Sequence, residues 1–125
     1  MPNARILIVD DDPLIARMYE TRMKAEGYDV EVATNGEEAL ATVRKETPDL
    51  ILLDVMMPKL NGVETLKILK GEEKTKKIPV IILTNLGDRP EDVANAKKLG
   101  ALDYLVKTQV SLKELSEKVK SVLGA

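Results

Sequence analysis

The chain is 125 residues long, carries a formal net charge of −2, and contains neither cysteine nor histidine. That length suits one domain, spanning 1–125, which needs no disulfide or structural metal to fold; zinc sites, catalytic Cys or His chemistry and a phosphohistidine on this chain are excluded. Mixed charge without a basic stripe, the absence of Phe and Trp, short apolar runs and an N-terminus unlike a signal peptide speak against nucleic acid, membrane and export, and point to a soluble cytoplasmic domain.

Five short apolar runs alternate with helix-like segments. Arg5-Ile6-Leu7-Ile8-Val9 is continuously apolar after its first residue, as a strand buried on both faces is. Asp12-Pro13 then opens a helix over 13–26 that stops at Gly27. Tyr28-Asp29-Val30-Glu31-Val32 alternates, as an edge strand does, and Asn35 with Glu38 three places on opens a helix over 36–46. Leu50-Ile51-Leu52-Leu53 is a second buried strand, and Asn61 with Glu64 opens a helix over 62–70. Pro79-Val80-Ile81-Ile82-Leu83 is a third, followed by Asp88 with Glu91 and a helix over 89–99 that stops at Gly100. Leu102-Asp103-Tyr104-Leu105-Val106 is the last strand. Ser111 with Glu114 opens the last helix, over 112–123, with Leu112, Leu115, Val119, Val122 and Leu123 on one stripe. Strands alternating with helices predict an α/β fold: a doubly wound, five-stranded parallel sheet with five helices, flavodoxin-like, in strand order 2-1-3-4-5.

In such a fold ligands bind at the carboxyl ends of the strands. The first strand ends in Asp10-Asp11-Asp12, the third in Asp54 and the fourth in Thr84, and Lys107 follows the fifth. Singly, each has an ordinary explanation: Asp12 caps a helix, and Asp54 is a turn residue. Together they do not, because clustered carboxylates repel one another unless a cation sits among them. With no imidazole or thiolate available, that cation is hard and oxygen-loving, and an open site with few carboxylates suits Mg²⁺. A metal ion, a carboxylate, a lysine and a hydroxyl make a phosphoryl-transfer site, with Asp54 as nucleophile, Lys107 as a point charge and Thr84 as hydrogen-bond donor.

The runs Val9-Asp10-Asp11-Asp12, Asp54-Val55-Met56-Met57-Pro58-Lys59-Leu60-Asn61-Gly62, Leu83-Thr84 and Gly100-Ala101-Leu102-Asp103-Tyr104-Leu105-Val106-Lys107 together resemble the receiver domain of two-component response regulators, the CheY-like fold. The resemblance implies that Asp54 is the phospho-acceptor, that Asp11 binds Mg²⁺ directly and Asp10 mainly through water, and that the Met56 backbone carbonyl completes the metal shell. It implies that Thr84 and Tyr104 are a switch pair and Lys107 the phosphate-binding lysine. The phosphoryl donor would be a sensor histidine kinase or a histidine phosphotransfer protein. Phosphorylation would change the surface of the fourth helix, fifth strand and fifth helix, which meets a downstream effector. The domain would catalyse only its own phosphorylation and dephosphorylation, as a monomer or a weak phosphorylation-dependent dimer. Nothing follows the last helix in this sequence, so either a stand-alone receiver without an output domain or a domain excised from a longer protein is expected. Met18 and Met23 lie in the first helix, whose exposed end the family uses for kinase docking; helical Met residues are also common core filler.

Three positions depart from the family pattern: Thr108 stands where proline usually follows the lysine, Asn85 follows Thr84 where a very small residue is usual, and the loop from Thr84 to Arg89 is one residue longer. A non-proline cis bond costs roughly 2.5–4 kcal/mol, so the Lys107–Thr108 bond is expected to be trans. Met56 and Leu86 cannot orient a hydrolytic water, so a long-lived acyl phosphate is expected. The alternatives are an aspartate-nucleophile phosphatase using Asp10 and Asp12, with Leu14 where such enzymes carry Thr or Val; a flavin carrier, which lacks its phosphate-binding loop here; and a degenerate receiver acting only as a binding module.

Overall fold

The computed structural model describes residues 3–54, 62–84 and 90–124, with 90–93 described by backbone alone. The elements alternate as β1 (Arg5–Val9), α1 (Pro13–Ala25), β2 (Asp29–Ala33), α2 (Gly36–Lys45), β3 (Leu50–Asp54), α3 (Gly62–Gly71), β4 (Val80–Thr84), α4 (Pro90–Lys98), β5 (Asp103–Val106) and α5 (Leu112–Leu123). All strand pairs are parallel, and the order is β2-β1-β3-β4-β5, as the alternation of elements predicted. Strand β2 sits one residue later than the sequence pattern suggested; its register pairs Arg5 with Asp29 and Val9 with Ala33.

Successive strand side chains point to opposite faces, so the sheet builds two cores. Ile6, Ile8, Leu50, Leu52, Ile81 and Leu83 pack with Ala16, Tyr19 and Met23 of α1 and Leu115 and Val119 of α5. Leu7, Val9, Ile51, Leu53, Val80 and Ile82 pack with residues of α2, α3 and α4. Burying each such Leu or Ile contributes about 1.5–3 kcal/mol, and the continuous apolar strands follow from having helices on both faces. The edge strand β2 exposes Asp29 and Glu31 and turns Val30 and Val32 inward. Met23 is fully buried while Met18 is 44% exposed, so the two methionines of α1 serve different faces.

The caps are those the sequence signals, with one difference. The Asp12 carboxylate accepts from the Leu14 and Ile15 amides at 3.0 and 3.4 Å, and Ser111 with Glu114 closes a reciprocal capping box. Asn35 accepts from the Glu38 amide at 2.8 Å, but the Glu38 carboxylate takes the Thr34 amide and hydroxyl instead of returning to Asn35. The caps read at Asn61 and Asp88 lie outside the described residues. Gly100 has φ +105°, a left-handed conformation that glycine adopts without a steric cost, and this turn delivers Leu102 to the β4 carbonyl of Val80 at 2.8 Å. The stem of Lys70 lies directly over Gly100, and its ammonium donates to the carbonyls of Lys76 and Ile78 at 2.9 and 2.7 Å. This basic residue, unremarkable in the sequence, ties the end of α3 to the start of β4.

Candidate functional site: an acidic pocket at the carboxyl edge of the sheet

Side-chain alternation decides which strand-end residues meet. Asp10 lies two residues beyond Ile8, Asp54 two beyond Leu52 and Lys107 two beyond Leu105, so all three follow the α1/α5 face. Thr84 lies two beyond Ile82 and shares the opposite face with Tyr104, which packs against the α2–α4 core. The β4–β5 register sets Ile82 beside Tyr104 and Thr84 beside Val106. Thr84 is fully buried and Tyr104 partly so.

Asp10, Asp11 and Asp54 each offer a carboxylate oxygen, and the three atoms lie within 4.8 Å of one another. Asp10 and Asp54 are buried; Asp11 is exposed. Both oxygens of Asp10 are held: Oδ1 accepts from the Asp12 amide at 3.0 Å and Oδ2 from the Lys107 ammonium at 2.5 Å. Lys107 Nζ is 3.4 Å from Asp54 Oδ2, and all three side chains are almost wholly removed from water. Burial by itself would push the Lys107 ammonium down, but its hydrogen bond to Asp10 and the charges of Asp54 and Asp10 outweigh that and hold it above its ordinary value. The Lys107 amide donates to the Thr84 carbonyl at 2.7 Å, and the turn closes with the Gln109 amide on the Val106 carbonyl at 2.9 Å. No cis peptide bond occurs among the described residues, so the Lys107–Thr108 bond is trans, and the lysine still reaches both carboxylates.

The donor set suits a small hard cation. It is all oxygen, it gathers three carboxylates around one point, and an ammonium already stands between two of them. Met56, expected to add its carbonyl, lies outside the described residues. Asp12 does not join the cluster, because its carboxylate caps α1; the phosphatase reading thereby loses its second carboxylate. One neighbour was not singled out in the sequence. Tyr19 of α1 is 4% exposed, and its hydroxyl is raised above its ordinary value by burial first, with Lys107 opposing and Asp10 and Asp54 adding to the rise. In the sequence it is one more member of a buried helical stripe. The only hint there is that a chain without Phe places a residue with a polar tip in that stripe.

A five-stranded doubly wound sheet with an acidic pocket at its carboxyl edge places charged groups where such folds bind their ligands. Residues 6–120 match the response regulator receiver domain, and the chain belongs to that family. It is 46% identical over 119 residues to the "Probable transcriptional regulator ycf27" of Pyropia yezoensis, covering 95% of this chain and 47% of that protein. It is 40% identical over 121 residues to the alkaline phosphatase synthesis transcriptional regulatory protein PhoP of Bacillus subtilis, covering 97% and 49%. The chain thus spans about half the length of these curated relatives. Among solved structures, the chemotaxis protein CheY4 of Vibrio cholerae superposes with a TM-score of 0.89 at 34% identity, covering 96% of this chain and 98% of that one. The Francisella response regulator 1452 receiver domain gives 0.88 at 38% identity, covering 96% of each. As a receiver domain, the chain serves phosphorylation-dependent two-component signalling.

Proposed function

We propose that Asp54 accepts a phosphoryl group from a phosphohistidine of a sensor kinase or phosphotransfer protein, and that the resulting acyl phosphate switches the α4–β5–α5 surface. The observation that carries this reading is the buried Lys107 ammonium standing between Asp10 and Asp54, beside a third carboxylate, at the sheet edge where parallel α/β folds bind ligands. An Asp54 carboxylate oxygen attacks phosphorus, the P–N bond of the donor breaks, and the imidazole leaves with the bonding electron pair. Lys107 shifts its charge from Asp10 toward the new phosphoryl oxygens, and the Thr84 hydroxyl donates to one of them. Asp10, Asp11, Asp54 and the Met56 carbonyl would hold Mg²⁺, which would neutralise charge on the phosphoryl group. As Thr84 moves, Tyr104, on the same face of β5, follows into the space it leaves, a shift between two packings. The domain turns over no small phosphate ester; it modifies only itself.

The apolar end of α1, with Leu14 and Met18 exposed beside Leu112 of α5, suits the docking of a helical phosphotransfer partner. No helix among the described residues is long and apolar enough to cross a membrane, in keeping with a cytoplasmic role. Incubation with acetyl phosphate or phosphoramidate and Mg²⁺ should raise the intact mass by one phosphoryl group. Full modification of Asp54→Ala, or modification indifferent to EDTA, would count decisively against the reading.

A further inference from the structure

Strand β5 is the outermost on its side of the sheet, so one row of its backbone groups faces away from β4. The Lys107 amide donates to the Thr84 carbonyl of β4 at 2.7 Å, with Thr84 beside Val106 in the register. Backbone direction alternates along a strand, so Asp103 and Leu105 also turn their amides and carbonyls to β4, and Tyr104 and Val106 turn theirs outward. Such a row is a template for another strand, and the side chains around it invite one. Tyr104, Leu105 and Val106 are aromatic or apolar, and Leu102 just before them is 51% exposed. The opposite edge strand, β2, carries the exposed Asp29 and Glu31. Strand β5 carries one charge, Asp103.

That charge is turned onto the edge itself. Asp103 Oδ1 accepts from the Tyr104 amide at 2.8 Å, and Oδ2 pairs with the Lys118 ammonium of α5. Burial opposes the charge on Asp103, but Lys118, the Tyr104 amide and Lys97 of α4 outweigh it. Two residues on, the Val106 carbonyl accepts from the Gln109 amide at 2.9 Å. The outward donor of Tyr104 and the outward acceptor of Val106 are thus both taken within the domain. We propose that Asp103, aimed by Lys118, is a guard that closes the β5 edge to strand addition by a second copy of this chain. A second copy is the fitting occupant, because two β5 strands paired antiparallel about a twofold axis need only this one segment on both sides. While the guard is in place, an incoming strand must displace the carboxylate from the Tyr104 amide and bury its charge.

The test uses the whole chain, without a phosphoryl donor, as wild type, Asp103→Ala and Asp103→Asn. Sedimentation velocity over a concentration series reads association, circular dichroism the folded fraction, and amide hydrogen exchange by NMR the state of the Tyr104 amide. At low concentration the wild-type Tyr104 amide should exchange about tenfold more slowly than an unpartnered one, as a bond to a carboxylate implies. Asp103→Ala should associate about tenfold more tightly per folded molecule, and its Tyr104 amide should become more protected as concentration rises. Asp103→Asn keeps an acceptor oxygen for that amide and should stay as monomeric as the wild type. A Tyr104 amide that exchanges freely in the wild type overturns the proposal whether or not the variants fold. So does an Asp103→Ala chain that associates no more than the wild type or associates without protecting Tyr104, and so does an Asp103→Asn chain that associates as the alanine variant does.

Discussion

Replacing Lys107 with methionine removes the cation from the acidic pocket while keeping most of the volume of its stem. In the wild type the ammonium is 2.5 Å from Asp10 and 3.4 Å from Asp54, and none of the three side chains is more than 6% exposed. Removing one partner of a buried ion pair costs about 3–5 kcal/mol, because the charge left behind keeps its desolvation penalty. A volume-conserving swap adds less than about 1.5 kcal/mol for packing. At roughly 3–4 °C per kcal/mol for a domain of this size, the melting temperature in EDTA should fall by about 10–20 °C. Mg²⁺ should recover much of that loss, since a cation at 100 times its dissociation constant adds about 2.7 kcal/mol. The recovery should exceed the Mg²⁺ effect on the wild type, where an incoming cation must share Asp10 with an ammonium. Thermal unfolding of both proteins in EDTA and in a Mg²⁺ series checks this. An unchanged midpoint in EDTA, or a Mg²⁺ gain no larger than that of the wild type, would refute the account of Lys107 as the resident cation of the pocket.

The acyl phosphate should persist for far longer than seconds, because Met56 and Leu86 bring no polar group to orient water; a chase of phosphorylated protein should show faster loss in Met56→Asn with Leu86→Glu. Gly100→Ala should destabilise the domain by about 1–3 kcal/mol in urea unfolding, because an alanine at φ +105° is strained and its Cβ would stand 3.0 Å from Lys70 Cγ. Stability should fall at both ends of the pH range. Lys107 is held above its ordinary value of 10.5, so its contribution is full below that pH and is lost as pH rises through the folded value. Glu26, lowered from 4.5 by the Ser116 hydroxyl and then by Lys120 and Arg22, contributes above that pH. Burial raises Asp103, but Lys118 and the Tyr104 amide overcome it and bring it below its ordinary 3.8. These two acidic contributions are lost as pH falls through the folded values, and denaturant midpoints measured across pH report both limbs.

The order of elements, the strand order and the caps at Asp12 and Ser111 were legible in the sequence, because they depend on local periodicity and on donors and acceptors three residues apart. The gathering of Asp10, Asp54, Thr84 and Lys107 at one edge was legible for a topological reason: in a parallel sheet every strand ends on the same side. Other features lay beyond it. Whether Glu38 serves Asn35 or Thr34, which of two helical methionines is buried, and that Lys70 ties α3 to β4 depend on directions that spacing does not specify. Lys107 could have paired with any of three carboxylates. Only the packed fold decides that its ammonium lies against Asp10 with Asp54 next, because only there do the register of β5, the Lys107 amide on the Thr84 carbonyl and the Asp12 amide on the Asp10 carboxylate set the distances at which buried charges meet.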